Sequence, residues 1–237
     1  MAKTERIWEL DALRGLCILG VIVVHLMFDL RYFLALPLDL GPVFQAVADY
    51  GGVIFVILSG VCVTLGHRSL RRGLIVFGCG MAITLVTFGM WKLNMADESI
   101  VIRFGVLHLL GVCMIVYPLF RRLPTAVLAV LSAAMVVTGY WLVTQRFSVT
   151  WLFPLGILYP GFSSGDYFPL LPHLGWFLAG VVIGRTAYAQ RKSLLPRVHS
   201  DAAPLRFLRF CGRHSLWIYL GHQPILYGIV SLVGLLH

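Results

Sequence analysis

The chain has 237 residues, of which 59% are hydrophobic and 12% charged, with a formal charge of +9 and a mean hydropathy of +0.88. No soluble domain of this length carries that proportion of apolar side chains, so composition excludes a soluble globular protein and indicates an integral membrane protein. The basic excess does not point to nucleic acid, because the cations cluster in short connections beside apolar segments, which is a topology signal.

Seven spans of about 18–24 residues, each long enough for a hydrocarbon core of roughly 30 Å, are expected at 13–34, 47–66, 72–91, 101–120, 124–143, 170–188 and 214–235. The expected fold is an all-α bundle of seven transmembrane helices forming one domain over residues 1–237. Arg6, Glu9, Asp11 and Arg14 precede an apolar run too long for the core of a cleavable signal, so the first helix is expected to be retained.

The cations set the expected orientation. Lys3, Arg6 and Arg14, then Arg68, Arg71 and Arg72, then Arg121 and Arg122, then Arg185, Arg191, Lys192, Arg197, Arg206, Arg209 and Arg213 fall on one side. The other side holds Arg31, Lys92 and Arg146, with Arg103 just inside a span. By the positive-inside rule the N-terminus is cytoplasmic and the C-terminus outside.

In the first span Arg14 and His25 are eleven residues apart. On a helix that is about 1100° of rotation, so the two lie within about 20° of one another on one face. Arg14 suits an interfacial anchor, whereas an imidazole near mid-membrane is costly and marks a functional site by default. Asp29 is one turn beyond His25, placed to orient the imidazole as a general base; a structural histidine bonded to a neighbouring helix is the competing reading.

After the second span, Arg68, Arg71 and Arg72 form a compact guanidinium cluster. Their forks suit phosphate oxygens, although topology alone also accounts for them. In the fourth span Arg103 and His108 differ by about 140° in direction, so they share a cavity only across a local break near Gly105. His173 opens the sixth span near the outer interface. In the seventh, His222 stands beside Gln223 and Pro224, either lining a cavity or satisfying a kink.

Two connections are long. Residues 144–169 carry Trp151, Phe153, Tyr159, Phe162, Tyr167 and Phe168 among glycines and serines, which suits an interfacial or re-entrant lid. Residues 189–213 are strongly basic, with Arg206, Arg209 and Arg213 on one helical side, and suit docking on an anionic leaflet. Gly180 and Gly184 read as a helix-packing pair. Cys17, Cys62, Cys79, Cys113 and Cys211 lack metal or disulfide spacing. His25, His108 and His222 share no helix at ligand spacing, so no metal is expected.

These residues resemble the transmembrane acyltransferase superfamily. Arg14, ten intervening residues and His25 resemble the Arg/Lys-x10-His signature of the acyltransferase-3 family; Phe55-Val-Ile-Leu-Ser-Gly60 resembles its following segment, and Arg68-Ser-Leu-Arg71 its RxxR element. The opening Arg6-Ile-Trp-Glu-Leu-Asp-Ala-Leu-Arg-Gly15, Gly105-Val-Leu-His-Leu-Leu-Gly111 and the closing Ser215-Leu-Trp-Ile-Tyr-Leu-Gly-His-Gln-Pro224 look still more like small bacterial relatives of the heparan-α-glucosaminide N-acetyltransferase catalytic domain. The eukaryotic glucosaminide enzymes place a histidine in the segment after their first conserved helix; here none occurs between Arg31 and His67, so the basic role falls to His25.

The resemblance implies a multi-pass enzyme of the bacterial inner membrane. It would transfer an acyl group, acetyl first among them, from cytoplasmic acetyl-CoA or another acyl-CoA to a hydroxyl or amine of a glycan or other small-molecule acceptor reached from outside. Arg14, Arg68, Arg71 and Arg72 would hold the CoA phosphates, and His25 with Asp29 would serve as base. His108, His222 or the substrate-binding Arg103 would stabilise the oxyanion or the acceptor. The partners implied are acyl-CoA, the acceptor, the lipid bilayer and, in a homo-oligomer, a second copy of the chain. The alternative is a proton-coupled transporter or channel that uses the same intramembrane His, Asp and Arg row.

Overall fold

A computed structural model gives the structure of the chain and describes residues 6–34, 36, 41–198 and 202–235. Lys3, counted among the topogenic cations, lies outside the described residues. Among the described residues the fold is all-helical: α1 (Trp8–Phe33), α2 (Gly41–Leu65), α3 (Ser69–Lys92), α4 (Val106–Phe120), α5 (Thr125–Thr144), α6 (Leu170–Thr186), α7 (Ala203–Arg213) and α8 (Ser215–Leu235). Short 3-10 turns occupy Glu98–Ile100 and Phe153–Leu155.

Helices α1, α2, α3, α5 and α8 are long and apolar enough to cross a membrane. α4 has 15 residues and α6 has 17, so at 1.5 Å per residue they reach about 22 and 25 Å, short of a core of roughly 30 Å. The fourth expected span therefore starts too early. Residues 101–105 are not helical because they pair with the connection between α5 and α6: Gly165 N–H donates to Val101 O at 3.2 Å and Phe168 N–H to Phe104 O at 2.9 Å. Arg103, expected just inside a span, stands in that extended segment before α4. The basic connection also contains a helix of its own, α7, which starts with a proline in its first turn, where a missing N–H costs nothing.

The chain divides into two compact units, Met1–Phe55 with Gln190–His237, and Val56–Ala189. In the first, α1 packs with α7 and α8. A Cβ on Gly15 would overlap the Leu208 carbonyl, and one on Gly212 the Asp11 carbonyl. As α7 advances from 208 to 212 its contact on α1 retreats from 15 to 11, so the two helices run antiparallel with their backbones touching. Polar bonds pin the same end: Asp11 takes Arg213 Nε at 3.2 Å, and Glu9 accepts from Ser193 Oγ at 2.8 Å and Leu194 N–H at 2.7 Å.

In the second unit α3 packs on α4 and α5 on α6. Lipid offers helices no hydrophobic incentive to associate, so close van der Waals approach through small residues must do it. A Cβ on Gly60 would overlap the Phe177 carbonyl, one on Gly180 the Ile57 carbonyl, and one on Gly184 the Thr64 hydroxyl. The pair expected to serve packing, Gly180 and Gly184, thus lies against the buried half of α2. Ser132 Oγ donates to Gly175 O at 2.8 Å between α5 and α6. Arg185 donates to Leu123 O and Arg121 O, each at 2.7 Å, closing the carbonyl end of α4. Large side chains such as Leu85, Val86, Val130 and Val137 remain exposed, as lipid-facing surfaces require.

Gly180→Ala is expected to destabilise the fold by about 1–3 kcal/mol, since the added methyl meets backbone. Gly78→Ala, where nothing lies within 4 Å of the new Cβ, is expected to leave the thermal unfolding midpoint in detergent unchanged.

Candidate active site

A polar cluster lies in the first unit, where α1 meets α8. Because α1 is unbroken from Trp8 to Phe33, Arg14 and His25 do share one stripe, and Asp29 follows His25 by one turn. On α8, His222 and Gln223 face them, and the Tyr219 ring lies 5.1 Å from that of His222. The His25 and His222 rings meet edge to face with centroids 4.9 Å apart. Gln223 Nε2 donates to both Asp29 oxygens, at 3.1 and 3.2 Å, and Asp29 is 1% exposed.

Hydrogen bonds settle the tautomers. A carbonyl only accepts, so His25 Nδ1, 2.9 Å from Val21 O, carries the hydrogen, and so does His222 Nδ1, 2.5 Å from Tyr219 O. Each neutral ring then keeps its lone pair on Nε2. His222 Nε2 and Gln223 Oε1 are buried with no hydrogen-bond partner among the described residues. The His25 and His222 Nδ1 hydrogens go to backbone and the Gln223 amide hydrogens to Asp29, so the two leftover acceptors suit a group with hydrogens to give. Asp29 was expected to orient the His25 ring; in the structure the Val21 carbonyl fixes Nδ1, and Asp29 is bonded to Gln223. Sequence reasoning named His222 but passed over Gln223. The signal was available, since an amide within an apolar helix needs a partner.

His108, also expected to act in the site, is built differently. It is 2% exposed. Its Nδ1 accepts from the Gly105 N–H at 3.2 Å, closing the first turn of α4, and its Nε2 lies 3.2 Å from Thr84 Oγ1. Thr84 gives its hydrogen to Ile102 O at 2.5 Å, so His108 Nε2–H donates to the threonine. Both ring nitrogens are engaged, and no lone pair is left for proton abstraction. The break near Gly105 foreseen from the angle between Arg103 and His108 is the N-cap of α4.

Arg103 joins the α3–α4 and α5–α6 connections: its guanidinium pairs with Glu98 at 2.5 Å, and Nε donates to Ser163 O at 3.1 Å. Asp166 takes the Val106 N–H at 3.0 Å, a carboxylate at the positive end of α4. Behind them Phe153, Tyr159, Phe162 and Tyr167 form one aromatic stack. Tyr167 donates to Phe153 O at 2.6 Å, and burial pushes its phenol above the ordinary value. Arg68 is the left-handed N-cap of α3; Arg68, Arg71 and Arg72 are all exposed. Among the described residues neither Arg68 nor Arg71 pairs with a carboxylate.

His108→Leu strands the buried Gly105 N–H, at about 1–3 kcal/mol, and removes the bond that Thr84 Oγ1 accepts while Thr84 keeps its own to Ile102 O. Its thermal midpoint is expected to fall well below that of His25→Leu, which gives up one bond within a single helix.

No curated protein and no solved structure matches the chain. The family profile described as heparan-alpha-glucosaminide N-acetyltransferase, catalytic, matches residues 6–224, from the start of α1 to the proline beside Gln223. That match covers both units and every residue of the polar cluster, and the chain therefore belongs to the heparan-alpha-glucosaminide N-acetyltransferase catalytic-domain family of membrane acetyltransferases.

Proposed function

We propose that the chain is a multi-pass acyltransferase that moves an acetyl group from acetyl-CoA to an amine or hydroxyl of a glycan or other small molecule. Family membership supplies the reaction class. The observation that carries the site is the His25–His222 pair, in which both Nδ1 hydrogens are committed to backbone, so that each neutral ring has its lone pair on Nε2, and His222 Nε2 is buried without a partner among the described residues. The family's description names an α-glucosaminide as acceptor; an amino sugar is accordingly the first acceptor to test.

In the proposed reaction the acceptor nitrogen or oxygen attacks the thioester carbonyl. His25 Nε2 takes the acceptor's proton as the new C–N or C–O bond forms. The C–S bond then breaks, and the thiolate of CoA leaves with a proton returned by the imidazolium. His222, in ring contact with His25, is assigned the second acceptor of hydrogen, toward the attacking group. Asp29 contributes its negative charge beside the imidazolium as it forms, with Gln223 holding the carboxylate in place. Arg68, Arg71 and Arg72 are assigned to the phosphates of the donor, as exposed forks with matching geometry; Arg14 is the cation on the His25 stripe. His108 and Arg103 are given positioning roles, in keeping with their bonds.

For topology we propose seven crossings, with α4 and α6 completing the five long helices. The N-terminus is cytoplasmic in a bacterial inner membrane, as the distribution of arginines favours. The family match spans both units, which supports treating them as one catalytic domain.

Acetyl transfer to glucosamine by purified protein is the test. His25→Ala is expected to lower kcat by about 10²–10⁴-fold while acetyl-CoA still binds; full activity in His25→Ala would remove the base assignment. Arg68→Ala combined with Arg71→Ala is expected to weaken acetyl-CoA binding in calorimetry at least tenfold, with the loss growing less pronounced as salt is raised. An unchanged affinity would put the phosphates elsewhere.

A further inference from the structure

The acyl-transfer reading makes no use of the outer face of α7 or of the segment 191–198 before it. Both belong to the first unit and both are pinned to the first two turns of α1, through Glu9, Asp11 and Gly15. The inner face of α7 is given to α1 by Leu208 and Gly212, with Cys211 buried. Its other face carries Phe207 and Phe210, 56% and 57% exposed, beside exposed Arg206 and Arg213. The preceding segment repeats the pattern, with exposed Leu194, Leu195 and Val198 between exposed Lys192 and Arg197.

Water alone does not suit such a surface, since five large apolar side chains stand open on it. A hydrocarbon core alone does not suit it either, since guanidinium groups alternate with them. The layer that satisfies both is the boundary between headgroups and acyl chains, and the sign of the charge selects the lipid. Arg197 and Arg206 have no carboxylate partner among the described residues, so their charge is available to phosphate.

We propose that the outer face of α7 and residues 191–198 form a binding surface for anionic phospholipid, in the leaflet at the amino-terminal end of α1. Phe207 and Phe210 enter the upper acyl region, and Arg197 and Arg206 take the phosphodiester oxygens. α7 lies backbone to backbone on α1, the helix that carries His25, so lipid bound here also braces that helix.

The test uses the purified full chain in detergent, titrated with phosphatidylglycerol or phosphatidylcholine and read by native mass spectrometry and by thermal midpoint. The wild type is expected to bind phosphatidylglycerol more tightly and to be stabilised by it, with the preference shrinking as salt rises. Arg197→Gln combined with Arg206→Gln is expected to lose roughly 25-fold in that affinity while its midpoint in phosphatidylcholine stays at the wild-type value. Equal binding of the two lipids would overturn the proposal, as would an undiminished phosphatidylglycerol preference in the double variant. So would tighter capture of soluble polyglutamate than of the lipid, which would assign the surface to an acidic protein. Phe207→Ser with Phe210→Ser provides a second variant with the charges intact, expected to lose the stabilisation.

Discussion

The bond from His25 Nδ1 to the Val21 carbonyl decides what that imidazole is able to do. A neutral histidine has one hydrogen and one lone pair, and within an apolar helix the nearest strong acceptor for the hydrogen is the carbonyl of the preceding turn. Once Nδ1–H is committed there, the basic nitrogen is Nε2 at the tip of the ring, as far as the side chain reaches from its own backbone. His222 makes the same choice through Tyr219. Two rings so arranged and in edge contact make a region rich in acceptors and poor in donors. A group that brings N–H or O–H into it satisfies His222 Nε2 and Gln223 Oε1, which are buried and unpaired among the described residues.

Holding that pair in register is a matter of helix packing, and here the membrane dictates the means. Contacts that a soluble protein secures by burying leucine must come from backbones brought together until a single methyl would keep them apart. Gly15 against Gly212 and Gly60 against Gly180 are such places. The first fixes α7 on α1 below the polar cluster; the second binds α2 to α6 in the other unit. Polar bonds are added where helices end: Arg185 takes the Phe120, Arg121 and Leu123 carbonyls where α4 stops, and His108 and Asp166 take the amides where it starts.

Much of the architecture was legible because apolar runs of this length leave few alternatives. Each expected span has a helix. Two features were not legible, for a common reason. The non-helical start of the fourth span depends on pairing with residues some sixty positions away, around Gly165 and Phe168, and no local pattern reports a partner at that separation. For α7 the sequence placed Arg206, Arg209 and Arg213 on one helical side, but not its packing, which depends on Gly15 and Asp11 of α1 some two hundred positions away. In the site, the Arg14–His25 stripe and the His25–Asp29 spacing were available from helical geometry alone. The difference between His25 and His108 was not. Both are lone imidazoles in apolar runs, and only the fold shows that one has a free lone pair and the other has none.

That difference also alters what Asp29 contributes. A carboxylate hydrogen-bonded to an imidazole sets its tautomer and direction, but here the backbone sets both. Asp29 instead takes the amide of Gln223 on its two oxygens, one turn along α1 from His25, and acts on the ring through its field. Such a charge does little for a neutral imidazole and much for an imidazolium, so its influence grows as the proton arrives. In the acyl transfer proposed above, it would favour the state in which the acceptor has lost its hydrogen and the thiolate has not yet regained one. A neutral amide suits the task of holding Asp29, because it donates to the carboxylate without introducing a cation that would cancel the field at His25.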